Sequence, residues 1–556
     1  MIDLPVGGVP SRRKFLGLLG TGAAVAAGGG ALSGCSSGGG GTGTEGRAEV
    51  EGKLAGLLPA YIAYEAVKPD LPGENGSSPG FLKYPSELKR AVPNKPVTSG
   101  KEVTAMTPLW GPAPPGLGSN SYFDANNERI GAPVRFNIVD GAAYLDKLGP
   151  LLAAGNVPEL TVMMGWMASN ITRFSQAADK LFEDLTPYLA GDKAKEFPML
   201  ANLPTRAWAY GVWNNQLKAV PYPGTGIPWA LFYRKDLFDQ HGVQAPKNMD
   251  DVLALGKQLT DAKVNRWAFG AMVPEVARAF RAPAGWHKDS AGNLKHQIET
   301  TEYEESVAFN RRLFQSGYVH PTVIANPSAD VKPLFEGGQV LMYQDGPGSW
   351  AEALQRQLPI NPKFNMQAVL PFAHDGGEPI VWKGEPAGIF TFVKKGLGEA
   401  RIKELLGVLN YTASPFGTEE AVMCAYGQEG KHYVKEASGA PKLTALGAKE
   451  VANTYIFLGG RPAVISESQY PGYVEAMHAW EKACVKYAQE KPFEGIRVEQ
   501  PSKLAALSQP FDDKVQDILR GRRPVSDLKV ALAEWRKNGG DEGREFFAKV
   551  LTDNGR

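Results

Sequence analysis

The sequence predicts an α/β fold built as more than one lobe, and two observations carry that reading. From Glu102 onward, short apolar runs of strand type alternate with amphipathic helical stretches, the pattern of a sheet covered by helices on both faces. The chain has 556 residues, too many for one ordinary core and suited to two or more lobes. Its 60 basic and 59 acidic residues nearly cancel. A nucleic-acid binder carries a basic excess, so nucleic acid is not an expected partner.

In chain order, the first element is a processing signal. Ser11-Arg12-Arg13-Lys14-Phe15-Leu16 sets three positive charges before a Gly/Ala/Leu-rich stretch that ends in Leu32-Ser33-Gly34-Cys35. A basic segment, a short weakly apolar segment and small residues before a cleavage point make a secretion signal rather than a membrane span. So much glycine is also costly in an uncut anchor helix. A thiol after the small pair is the nucleophile that takes up a diacylglyceryl group, so this end resembles a bacterial lipobox. The run S-R-R-x-F-L resembles a twin-arginine export signal. Residues 1–34 are expected to be removed, leaving Cys35 lipidated and the chain tethered to the outer face of a membrane. Each buried methylene contributes about 0.8 kcal/mol, so two or three acyl chains hold firmly where one does not. No other stretch approaches the roughly 18 apolar residues of a spanning helix.

Residues 36–46 read as a flexible Gly/Ser/Thr tether. The glycine spacings in and beside it mimic phosphate-loop and nucleophile-elbow motifs but lack the flanking strand and helix those need. Residues 49–96, rich in Pro and Gly, read as an irregular arm packed on the surface, within a tether-and-arm region of 35–100. Residues 103–106, 134–139 and 160–164 read as strands. Residues 143–154 read as a helix with Tyr144, Leu145, Leu148, Leu151 and Leu152 on one side. Further helices are expected at 249–259, 301–315, 399–411, 473–488, 504–520 and 526–538, the last opened by an N-cap signal in Pro524-Val525-Ser526-Asp527. Cys424 and Cys484 either pair outside the cytoplasm or remain buried thiols; one pair is no disulfide framework in a chain this large.

Several segments, in order, resemble one family. Residues 213–246 read WNNQLKAVPYPGTGIPWALFYRKDLFDQHGVQAP, similar to a segment of extracellular solute-binding proteins of ABC importers, the large type that includes maltose-binding proteins. Residues 147–166 (KLGPLLAAGNVPELTVMMGW) resemble that family's third strand, with Glu159 where Asp is usual. FQSGYVHP at 314–321, FEGGQVLMYQDG at 335–346, the stretch 384–395 with 399–419, and the tail 518–547 continue the likeness. Together they span roughly 101–551. One departure concerns calcium: some relatives carry an Asp/Asn-rich loop before the strand equivalent to 267–272. Here Thr260-Asp261-Ala262-Lys263-Val264-Asn265 offers too few oxygen ligands.

The resemblance implies a two-lobed periplasmic-binding fold of type II, closing on its ligand about a hinge. It places the first lobe at 101–221 with 366–418 and the second at 222–365 with 419–556, the chain crossing near Val220-Pro221-Tyr222-Pro223. It implies a monomer without cofactor or catalysis that hands a small molecule, here a carbohydrate, to ABC permease subunits. Sugar rings have apolar faces and a hydroxyl rim, which aromatic planes and polar side chains satisfy respectively. The candidate ligand residues are Trp110, Asn120, Trp166, Tyr222, Trp229, Trp286, Asp345, Trp350, Trp382 and Glu385, all near the ends of predicted elements. Each tryptophan is also a candidate for core packing, and Asp345 for a turn cap. The competing readings are the same fold binding a peptide, polyamine or metal, a surface module that has lost transport, and a secreted glycoside hydrolase. The last needs two carboxylates about 5–10 Å apart across a cleft. No H-x-x-x-H or Cys/His cluster suggests zinc.

Overall fold

The computed structural model describes residues 56–556 apart from 169, 170, 172, 271, 327, 328, 437, 497 and 499. The signal and Cys35 lie outside the described residues. In chain order, the strands of the two main sheets are β1 (Val103–Leu109), β2 (Val134–Asp140), β3 (Leu160–Met164), β4 (Ala219–Pro223), β5 (Ala230–Arg234), β6 (Trp267–Phe269), β7 (Val340–Asp345), β8 (Met366–Ala368) and β9 (Ala387–Val393). The first sheet runs β2-β1-β3-β9-β4 and the second β8-β5-β7-β6. In the first, β1 is parallel to β2 and β3, while β9 enters antiparallel between β3 and β4.

Strand periodicity explains why the first sheet is buried on both faces. Val103, Ala105, Leu160, Val162 and Val220 point into one apolar cluster, and Met106, Met163, Ala219, Phe390 and Phe392 into another. Side chains two apart share a face, so each strand feeds both layers. The helix Tyr144–Ala154 buries Tyr144, Leu148 and Leu152, four residues apart, and the Tyr144 hydroxyl donates to the Val162 carbonyl at 2.6 Å. The second sheet has its own core, where Phe232, Phe269, Leu341 and Trp350 meet Val252 and Leu259 of helix Met249–Leu259. That helix is capped by Asn248 accepting from the Asp251 amide at 2.8 Å. Thr300 caps helix Thr301–Gln315 in the same way. Ser526 makes no such bond, and its helix begins at Asp527.

A buried ion pair ties the first sheet to the helix after β9. Arg401 of helix Glu399–Thr412 donates to both carboxylate oxygens of Glu159, at 2.9 and 2.8 Å, and to Glu404 at 2.9 Å. Glu159 also accepts from the Thr104 amide of β1 at 3.1 Å.

Two lobe boundaries differ from expectation. Residues 366–368 form β8, which pairs with β5 in the second sheet, so the chain returns to the first sheet only at β9. Residues 419–458, expected in the second lobe, pack on the first: Cys424, Tyr455 and Leu458 lie in its core, and the Tyr122 hydroxyl donates to the Cys424 carbonyl at 2.7 Å. Apolar periodicity marks a helix's buried face but not the sheet that covers it, which is why the sequence placed them wrongly. The chain crosses a third time after Gly459, before helix Tyr473–Val485 buries Val474, Met477 and Trp480 in the second core. Cys424 and Cys484 therefore sit in different cores; both are free thiols whose pKa burial pushes up to about 12.

The arm is irregular, as expected, but it is woven into both lobes. Leu57, Leu58 and Tyr64 pack on the first core, Leu71 on the second, and Val97 is again buried in the first.

Candidate functional site

In the parallel part of the first sheet, strand C-termini and the crossing segments share one end, where an open α/β sheet binds its ligand. Trp110 follows β1 directly and is 46% exposed; Trp166, in the one-turn helix Gly165–Ala168 after β3, is 53% exposed. Tyr222 lies in β4 opposite Ile389 of β9, at the same end. Between them stands Phe457, from helix Thr454–Leu458. Its ring centroid is 5.9 Å from that of Trp110 and 6.3 Å from that of Tyr222.

Two glycines let these rings settle. A Cβ on Gly141 would lie 2.2 Å from the Trp110 ring, and one on Gly460 would lie 2.3 Å from the Tyr222 Cα. Only a residue without a side chain permits either approach. The crossing segments are knitted beside them: the Gly224 amide donates to the Pro386 carbonyl at 2.8 Å, and the Gly384 amide to Gly226 at 2.9 Å. Burial pushes the Tyr222 hydroxyl pKa upward, with Arg461 acting against it and Glu467 with it. Burial likewise raises the Glu467 carboxyl, opposed by the Ser466 amide at 3.0 Å and by Arg461.

On the second lobe, Trp229 immediately precedes β5 and is 45% exposed. The pairing of Ala230 with Asp345 brings the end of β7 to the same edge. Asp345 is already engaged, accepting from the Gly346 amide at 2.7 Å and from the Tyr343 hydroxyl at 3.3 Å, with Lys332 at 3.2 Å. That is a turn cap and an ion pair. Trp350 is 1% exposed, packed against Phe232 and Tyr473 in the core. Its expected role at a ligand is corrected: the helix it begins turns the ring inward. Asn120 is likewise buried, capping helix Ser121–Ile130 through the Tyr122 and Phe123 amides while donating to the Pro115 and Glu450 carbonyls.

Trp286 is half-buried against Trp535, Phe547 and His296, where it anchors the C-terminal helices. Trp382 donates its indole N–H to the Ala282 carbonyl at 3.0 Å, and Glu385 is exposed beside the first crossing. The structure thus gathers Trp110, Trp166 and Tyr222 on the first lobe, with Trp229 at the facing edge of the second. Phe457 was missed because its segment was assigned to the wrong lobe. The Gly459-Gly460-Arg461-Pro462 break just after it is the signal that marks the third crossing.

The model of the bacterial extracellular solute-binding protein family matches residues 113–390, half of the chain. The chain belongs to this family. Such a solute-binding protein has the two-lobed arrangement described above. A polygalacturonan/rhamnogalacturonan-binding protein of Bacillus subtilis (YtcQ) is 22% identical over 440 residues, covering 73% of this solute-binding protein and 82% of that one. Among solved structures, an HMO-binding, ABC-transporter-associated solute-binding protein from Bifidobacterium longum infantis superposes with a TM-score of 0.59 at 13% identity, covering 82% of this chain and 99% of that one. An ABC substrate-binding protein from Listeria monocytogenes in complex with cycloalternan gives 0.52 at 17%, covering 79% and 99%.

Proposed function

We propose that this solute-binding protein captures an oligosaccharide between its lobes and delivers it, unaltered, to the permease of an ABC importer. The observation that carries the reading is the row of aromatic rings, Trp110, Phe457, Tyr222 and Trp166, along the crossing end of the first sheet. Trp229 stands at the corresponding edge of the second. Aromatic rings, exposed at Trp110 and Trp166 and half-buried at Tyr222 and Phe457, suit the C–H faces of sugars, and the ligands named for the relatives, from polygalacturonan to cycloalternan, are saccharides. The lobes close by swinging about the crossing segments, and the closed pair forms the surface the permease reads. The protein works as a monomer, without a cofactor. Cys35, after export and cleavage, carries the lipid that keeps it at the membrane. Among the described residues no helix is long and apolar enough to cross a membrane.

The test is a thermal-shift screen of the lipid-free mature protein against mono- and oligosaccharides, peptides and metal ions. A ligand at 100 times its Kd stabilises by about 2.7 kcal/mol. A saccharide hit, with no sugar consumed and with affinity lost in Trp166→Ala and Phe457→Ala, is expected. A hit only with peptides or metals overturns the ligand class, and released product overturns the receptor reading.

A further inference from the structure

The arm before β1 passes from the first lobe to the second and back. At its start, the Ala60 amide donates to the Gly191 carbonyl at 3.1 Å and the Ile62 amide to Ala201 at 2.9 Å, both on the first lobe. Its middle lies on the second lobe. Leu71 packs on that core, the Ser78 amide donates to buried Glu481 at 2.7 Å, and Glu74 pairs with Lys482 at 2.9 Å. It then touches the third crossing, where the Phe81 amide donates to the Ile465 carbonyl and the Ile465 amide to Pro79, at 2.8 and 2.9 Å. Finally it returns to the first lobe. Phe81 packs on Phe416 with tilted rings whose centroids are 4.4 Å apart, the Ala91 and Val92 amides donate to Glu420, and the Val97 amide donates to the Ile130 carbonyl at 2.9 Å.

A strap fixed to one lobe at both ends and to the other in its middle resists their separation. Opening must break the bond to the Glu481 carboxylate and expose Leu71, which no motion about the three crossings alone demands.

We infer that residues 56–100 are a clasp that limits how far the two lobes part. The clasp acts on the lobes' own separation, so it is read without ligand. A site-specific protease sequence is inserted in the exposed turn between Asn75 and Gly76 of the full chain, also carrying Leu71→Ala, and cut after purification. A solvated turn tolerates insertion, and cutting after folding spares the folding step. Small-angle scattering and amide hydrogen exchange are compared before and after the cut. The expected result is exchange at Ser78 and Gly80 faster by about tenfold or more, as for loss of a bond to a charged acceptor, with a larger radius of gyration and a longer tail in the distance distribution. Exchange in β1 should stay unchanged, which shows that the lobes themselves remain folded. Scattering identical before and after the cut overturns the clasp.

Discussion

Replacing Glu159 by alanine removes the acceptor at the centre of the first lobe's buried ion pair. The carboxylate takes two bonds from Arg401 and one from the Thr104 amide, so it joins β1, the start of β3 and the helix after β9. Breaking a buried pair from one side costs about 3–5 kcal/mol, because the partner charge is left without compensation. Here Arg401 keeps Glu404 at 2.9 Å and the Lys101 and Glu102 carbonyls at 3.3 and 2.6 Å, which lowers that figure. The Thr104 amide loses its acceptor, at about 1–3 kcal/mol for an unsatisfied buried donor. The expected net cost is about 3 kcal/mol. Glu159→Asp, which keeps the charge on a shorter stem, should cost about 1 kcal/mol, in the range of a single net hydrogen bond. The assay is native-state hydrogen exchange of β1 and β3 amides, since two lobes with separate cores need not unfold as one. A double-mutant cycle with Arg401→Met isolates the pair. A coupling energy below about 0.5 kcal/mol, the level at which distant residues simply add, would show that Glu159 and Arg401 do not stabilise the lobe as a pair.

Three further outcomes are expected. Trp350→Ala should lower the stability of the second lobe by about 3–5 kcal/mol, the cost of emptying a large aromatic site, in denaturant titration of ligand-free protein; a loss of ligand affinity without loss of stability would restore the ring to the binding site. Gly460→Ala drives a Cβ to 2.3 Å from the Tyr222 Cα, so a shift at the third crossing with a cost of about 1–3 kcal/mol should appear in thermal unfolding. Burial holds the His296 pKa down to about 4, well below the 6.5 of a free imidazole. Between those values the unfolded chain binds the proton that the folded one refuses, so stability is expected to fall as pH drops from 6.5 towards 4. The ceiling is about 3 kcal/mol, reduced by the water that reaches a half-buried ring, and an equally steep loss in His296→Gln would show that another group is responsible.

Much of the fold was legible because strand and helix periodicities are local. Residues 249–259 and 301–315 are helices as read, and 160–164 is a strand as read. Lobe membership was not legible beyond the first crossing. Cys424 and Tyr455 join the first core through partners such as Tyr122 of helix Ser121–Ile130, some 300 residues earlier in the chain. Trp110, Trp166 and Trp229, proposed for the site, stand just past or before a strand and are about half exposed. Trp350 stands further from its strand, at the second position of helix Ser349–Gln357, where its ring packs against Phe232 and Tyr473 in the core. Phe457 carried no motif of its own; its importance comes from Trp110 and Tyr222, which the chain reaches more than 200 residues earlier.

The place of β9 has a consequence for how the molecule comes to be made. Its pairing antiparallel between β3 and β4 means that the first sheet stays split until residue 393 exists, and its core stays open until Leu458 arrives. A growing chain therefore holds β1, β2 and β3 with an unpaired edge for most of its synthesis, the kind of edge that invites aggregation. Contacts so distant in sequence also form slowly. A protein built this way is served by completing its fold in the compartment of synthesis, under chaperone care, before it moves. An export route that accepts folded cargo, of the kind the Arg12-Arg13 pair resembles, permits that order of events.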